Sequence, residues 1–228
     1  MSSPSGFVVA VDGPSGSGKS SASRGVARTL GLRYLDTGAM YRALTWWLMS
    51  RGADTADEAR VAELATVPAI EVGTDPHDPW TRVDGRDVSV EIRTREVSVQ
   101  VSAVARIPQV RVRLIAMQRA IIGAAHPGIV AEGRDIGTVV APDAQLKVFL
   151  TADSQARARR RAAEQGATVD TTEADQARRD RLDAAQSAKA EDAVLIDATD
   201  LSLPDVIDEI ARLARERTQL ACAGDKRR

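Results

Sequence analysis

Residues 13–20 read Gly13-Pro14-Ser15-Gly16-Ser17-Gly18-Lys19-Ser20 and fill every fixed position of the pattern G-x-x-x-x-G-K-[ST]. Each residue type has a chemical reason to be there. The glycines let the backbone curl until successive N–H groups converge on anionic oxygens. Lys19 can reach the outer phosphates of a nucleotide, and the Ser20 hydroxyl can ligate Mg²⁺. Ser21 extends the run. The motif also has the context it needs: the apolar, β-branched run 7–12 before it reads as a buried strand, and 21–31 after it has apolar residues at helical spacing. The bland alternative, a glycine-rich turn between strand and helix, leaves Lys19 at the required place unexplained. The expected ligand is ATP or GTP with Mg²⁺.

Two further clusters could do chemistry. Glu132, Gly133, Arg134 and Asp135 follow the apolar run 128–131 directly, so charged residues stand where a buried strand ends. Thr37 and Gly38 stand at the end of a short strand, 33–36, and open a helix that carries Tyr41 and Arg42. In open α/β sheets ligands sit beyond the carboxyl ends of the strands. A helix start with an arginine one turn in suits a phosphate. From spacing alone, a capped amphipathic helix with Arg42 in solvent fits equally well.

These clusters need a scaffold. Strand patterns at 7–12, 33–36, 128–133, 146–152 and 193–199 alternate with helical ones, which implies a parallel sheet flanked by helices. The helix from 39 stops near Gly52, and another, interrupted by Pro108, runs to His126-Pro127. Between Ile70 and Glu91 apolar and polar residues alternate around Asp75-Pro76 and Asp84-Gly85, the signature of a small antiparallel insert. Helices are expected at 154–165 and 173–188, and a last one from Ser202 to about Leu220 with a frayed tail. The whole reads as one α/β P-loop domain: core at about 6–54, 128–152 and 193–220, an acceptor-binding region at about 55–127, and an arginine-rich helical lid at about 153–190.

Composition narrows the options. A net charge of −1 and 3% aromatic residues give no basic, stacking face for nucleic acid. The chain has no asparagine and so lacks the N-K-x-D guanine reader of Ras-type GTPases. The single Cys222 excludes an intrachain disulfide framework and fits a reducing, cytoplasmic compartment. No apolar run approaches the roughly 20 residues of a membrane span. A monomer is the default expectation.

In this order, "GPSGSGKSS", "LDTGAMYR" and "EGRDIGTVV" with "PDA" resemble the bacterial cytidylate kinases, of the nucleoside monophosphate kinase group. The resemblance covers nearly the whole chain, the insert included. It implies an adenylate-kinase-like fold and transfer of the ATP γ-phosphoryl group to CMP or dCMP. Residues 13–21 would then hold ATP, with Arg157 near the adenine. Thr37 and Arg42 would hold the acceptor phosphate, with Tyr41 beside them. Ser102 and Arg111 match positions that contact cytosine. Arg134 would reach the acceptor phosphate and Asp135 the base. Arg161 and Arg178 would close on the transferring phosphates, and Arg179 and Asp183 would bind the acceptor's ribose or phosphate. Glu132 matches a carboxylate near the Mg²⁺ hydration shell, a role that competes with a structural hydrogen bond to the P-loop region. Where the family pattern continues R-R-D-x-x-D-x-x-R and then "PL", this chain has Gln186 in place of the arginine and a shorter connection. Other readings are a kinase for UMP, AMP or a small alcohol, and a nucleotide-binding switch.

Overall fold

The computed structural model describes residues 6–165 and 169–225. Among them, five strands form a parallel sheet: β1 (Phe7–Asp12), β2 (Arg33–Asp36), β6 (Gly128–Gly133), β7 (Leu146–Thr151) and β8 (Val194–Asp197), in the order β2-β6-β1-β7-β8. Three short strands, β3 (Ile70–Val72), β4 (Thr81–Val83) and β5 (Arg86–Asp87), make a separate antiparallel sheet. The helices are α1 (Lys19–Leu30), α2 (Thr37–Ser50), α3 (Glu58–Leu64), α4 (Arg95–Ala105), α5 (Pro108–Gly123), α6 (Ser154–Gln165), α7 (Val169–Asp183) and α8 (Leu203–Asp225).

Both faces of the parallel sheet are buried, as its continuous apolar strands require. Side chains alternate between the faces. Val8, Ala10, Leu35, Ile129 and Ala131 pack with Met40, Leu44 and Leu48 of α2 and Leu114 of α5. Val9, Val11, Val130, Val148 and Leu150 pack with Val26 of α1 and Ile210 of α8. Each of the Val, Leu, Ile and Met side chains among them contributes roughly 1.5–3 kcal/mol by leaving water.

Strand register levels the carboxyl ends. Asp12 is opposite Gly133 on one side and Phe149 on the other, and Asp36 is opposite Glu132. The charged cluster at the end of β6 and the loop after β1 therefore meet at one edge. The turn out of β1 is tight. At Gly13, with φ +150, a Cβ would lie 2.0 Å from the Leu150 carbonyl oxygen, so no side chain fits.

The antiparallel insert is tied to the core at several points. Tyr34 N–H donates to the Thr74 carbonyl (2.9 Å), which covers the free edge of β2. Arg28 Nε donates to the Pro76 carbonyl (3.0 Å), and Trp47 Nε1 to Asp84 Oδ2 (2.9 Å).

Several local expectations change. Pro108 opens α5 rather than merely breaking a helix; at the first helical position its missing N–H costs nothing. The last strand of the insert expected up to Glu91 is only Arg86–Asp87, with a 3-10 turn, Glu91–Arg93, beyond it. The helix expected at 173–188 lies earlier, at Val169–Asp183, with a 3-10 turn Ala184–Gln186 beyond it. The last helix reaches Asp225. Beyond Asp135, Ile136–Val140 forms a single π-helical turn.

Candidate active site

The P-loop runs from the end of β1 to the start of α1, where Gly18 (φ 90) precedes the first helical residue, Lys19. Arginines from distant elements hold its carbonyl oxygens. Arg134 donates to Gly13 O (2.9 Å) and Arg157 to Ser15 O (2.9 Å), while Arg179 reaches Ser15 Oγ (3.1 Å). Asp180 accepts from the Ser15 N–H (3.2 Å) and pairs with Arg157. Thus α6 and α7 both contact the loop.

Lys19 is buried, and its Nζ donates to Pro14 O (2.6 Å). Burial first, and the nearby Arg134 second, push its pKa down to about 7; Glu132 and Asp12 oppose the shift. A bound triphosphate would restore the charge, because its negative oxygens favour the ammonium form.

Glu132 is also buried, accepting a short hydrogen bond from Tyr34 OH. Burial, with Asp36 adding to it, pushes its carboxyl up to about 7; Lys19 and hydrogen bonds from Tyr34 and Ser20 pull the other way. Glu132 therefore faces the P-loop and is fixed by β2, with the Ser20 hydroxyl alongside.

One cleft is lined by Ser15, Gly16, Lys19 and Ser20 of the P-loop, by Thr37, Tyr41 and Arg42 of α2, by Ser102 of α4 and Arg111 of α5, by Glu132, Arg134 and Asp135, and by Arg179, Asp183 and Gln186. Within it Thr37 Oγ1 donates to the Glu132 carbonyl (2.7 Å) and Arg42 to Ser98 Oγ (2.8 Å) and the Ile92 carbonyl (3.2 Å). Arg111 is paired with Asp135, and Arg134 Nε with Asp183 Oδ2 (3.1 Å). Gly133 is glycine because a Cβ would meet Thr37 Oγ1 at 2.6 Å. Burial pushes the Tyr41 hydroxyl up to about 12, so it stays a neutral donor. The Ser102 hydroxyl is buried and has no hydrogen-bond partner among the described residues, an unusual state for a polar atom unless something else pairs with it.

Not every expected residue lines the cleft. Arg178 is exposed on α7. Arg157 is engaged with Ala152 O, Ser15 O and Asp180 behind the P-loop. The Arg161 side chain lies outside the described residues. Arg93, which no local sequence pattern marks, also lines the cleft and pairs with Asp36 Oδ2 (3.2 Å), the carboxylate that caps α2 through Ala39 N–H (2.9 Å). Tyr34 is likewise unmarked. A carboxylate ending an apolar strand was the available signal for Asp12.

A P-loop at the carboxyl edge of a parallel sheet, sharing a cleft with a second pocket lined by arginines and Asp135, defines a P-loop phosphotransferase. The family is then specific. The family model described as "Cytidylate kinase" matches residues 9–216, and the chain belongs to the cytidylate kinase family. A cytidylate kinase of Streptomyces coelicolor is 54% identical, the alignment covering 92% of this chain and 93% of that one. One from Streptomyces avermitilis is 51% identical over the same shares. A solved structure of an uncharacterized protein from Eubacterium ventriosum has the same fold with a TM-score of 0.51 at 11% identity, covering 92% of this chain and 98% of the other.

Proposed function

We propose that the chain transfers the γ-phosphoryl group of ATP to CMP or dCMP, giving ADP and CDP or dCDP. The observation that carries this reading is the sharing of one cleft by Lys19 of the P-loop and the Arg111–Asp135 pair. A donor-phosphate cradle and a group able to read a base face each other there.

On this reading residues 13–21 cradle the ATP phosphates through backbone N–H groups, Lys19 and the start of α1. Arg42 and Arg134 hold the acceptor phosphate, with Thr37 and Tyr41 at its side. Asp135 accepts a hydrogen bond from the cytosine amino group, with Ser102 and Arg111 flanking the ring. Uracil carries a carbonyl at that place, which would face the carboxylate and leave it unpaired, and such a site rejects the analogue strongly. Asp183 and Arg179 take the sugar side. An acceptor phosphate oxygen attacks the γ-phosphorus in line while the bond to the β–γ bridging oxygen breaks and ADP leaves. Such a transfer needs positioning and charge stabilisation more than an acid or base. Arg134, Arg161 and Arg178 supply the positive charge, the last two when the lid at about 153–190 closes and excludes water.

Mg²⁺ fits the mouth of the P-loop. The Ser20 hydroxyl and the Glu132 carboxylate, linked to each other, are hard oxygen donors of the kind it takes. Bound there, the ion would neutralise charge on the β- and γ-phosphates. Both pockets come from one chain, so a monomer suffices, acting on cytoplasmic nucleotides. No described helix is long and apolar enough to cross a membrane.

A coupled assay of ADP release with ATP, Mg²⁺ and each nucleoside monophosphate tests the reading. CMP and dCMP are expected to be turned over; UMP or AMP as the preferred acceptor would overturn it.

A further inference from the structure

Asp12 is a buried carboxylate to which the mechanism above gives no role. It ends β1, immediately before the P-loop, and is 5% exposed. Its two oxygens are used separately. Oδ1 accepts from Ile136 N–H (2.8 Å) and Oδ2 from Gly137 N–H (2.8 Å). These are the first two N–H groups of the π-helical turn Ile136–Val140, which has no side-chain cap of its own. A carboxylate distant in sequence by 124 residues thus does what a local N-cap residue does elsewhere.

The same two segments are joined once more, since Arg134 donates to the Gly13 carbonyl. Residues 12–13 therefore receive three hydrogen bonds from the 134–137 turn. Arg134, itself one of these anchors, and Asp135, which lies between it and the other two, both line the acceptor pocket. A single π-helical turn has little stability of its own, because helical hydrogen bonding becomes favourable only after several residues are fixed. Its geometry depends on what grips it.

Resting on the cytidylate kinase reading, we propose that Asp12 is a positioning residue: its carboxylate sets Arg134 and Asp135 against the P-loop, so that acceptor phosphate and base are held at the right place relative to the donor. Asp12 touches neither nucleotide. Its side-chain hydrogen bonds go to the acceptor half of the cleft, and its charge is only a lesser support for Lys19 on the donor side.

The test is Asp12→Asn. The amide keeps the shape and one acceptor oxygen, but turns an NH₂ group toward a backbone N–H. Misplacing a reacting group by a fraction of an ångström to 1 Å costs up to about a hundredfold in rate. The variant is expected to raise KM for CMP at least about tenfold and to lower kcat, while KM for ATP changes less than about twofold. Gly137→Ala gives an independent reading that leaves Asp12 intact. A Cβ there would lie 3.2 Å from Lys147 Cδ, which must give way, and in ordinary contact, 3.4 Å, with the Asp12 Oδ2 that the turn binds. It is expected to weaken CMP selectively and to a smaller extent. A thermal melt establishes that both variants are folded, and if Asp12→Asn does not fold, Gly137→Ala carries the decision. Equal changes in the two KM values, or none, with the wild type active on CMP, would overturn the positioning role alone. A wild type inactive on CMP would overturn the functional reading and this role with it.

Discussion

The base-reading role of Asp135 predicts the outcome of a one-atom change, Asp135→Asn. Asp135 and Arg111 are paired with their side chains only 11% and 18% exposed, so solvent screens little of the interaction. A hydrogen bond to a charged group contributes about 1.5–3 kcal/mol and a neutral one about 0.5–1.5 kcal/mol. Replacing the carboxylate by an amide therefore removes about 1–1.5 kcal/mol from the contact with the cytosine amino group, roughly tenfold in KM for CMP. For UMP the sign reverses. The amide N–H can donate to the uracil carbonyl that the carboxylate faced without a partner, a relief of about 1–3 kcal/mol. The ratio of kcat/KM for CMP over UMP should fall by about thirtyfold to about two-thousandfold. KM for ATP should stay within about twofold, because the P-loop contacts are untouched. The assay is the same coupled measurement with each acceptor at saturating ATP, then with ATP varied at saturating CMP. An unchanged CMP:UMP ratio, or equal rises in the KM values for CMP and ATP, would refute the assignment of Asp135 to the base.

Two other side chains give contrasting expectations. Ser102→Ala removes a buried hydroxyl that lacks a partner among the described residues, so stability should hold or rise by up to about 1 kcal/mol while KM for CMP increases several-fold; a loss of stability in the thermal melt would show that the hydroxyl is used within the fold. Glu132 has its pKa raised to about 7 from an ordinary 4.5, so between those values the folded chain holds a proton that the unfolded chain has lost, and stability falls as pH rises through the window. Glu132→Gln has no proton to lose, and its melting temperature should fall less than that of the wild type between about pH 5 and about pH 7.5; parallel curves would contradict the burial of the carboxyl.

Some of this site could be read from the chain itself. The strand, loop and helix at 7–31 announce themselves because period, glycines and Lys19 are all local signals. The cluster Glu132 to Asp135 stands out because charges directly follow an apolar run, and register then explains it: β6 lies between β1 and β2 and delivers those charges to the P-loop. What was not legible depends on contacts between distant residues. The cap that Asp12 provides joins two segments with no periodic relation. Arg93 looks like any exposed arginine until the 3-10 turn after the insert sets it against Asp36. The segment 136–140 is a π-helical turn whose first two N–H groups are bound by Asp12, a contact no local pattern announces. α7 ends at Asp183 although the following "AAQ" has good helix formers and no terminating glycine or proline; the chain tightens into a 3-10 turn there, and Gln186 lines the cleft.

The central claim is that the P-loop and the Arg134–Asp135 turn form one site that holds donor and acceptor together. The most direct measurement is calorimetric titration with a bisubstrate compound, adenosine and cytidine joined through five phosphates, beside ATP and CMP alone. One molecule is expected to bind per chain, at least about a hundredfold tighter than either nucleotide, since linking two ligands of adjoining pockets makes the second binding event intramolecular. Two molecules per chain, or an affinity no better than that of ATP, would contradict it.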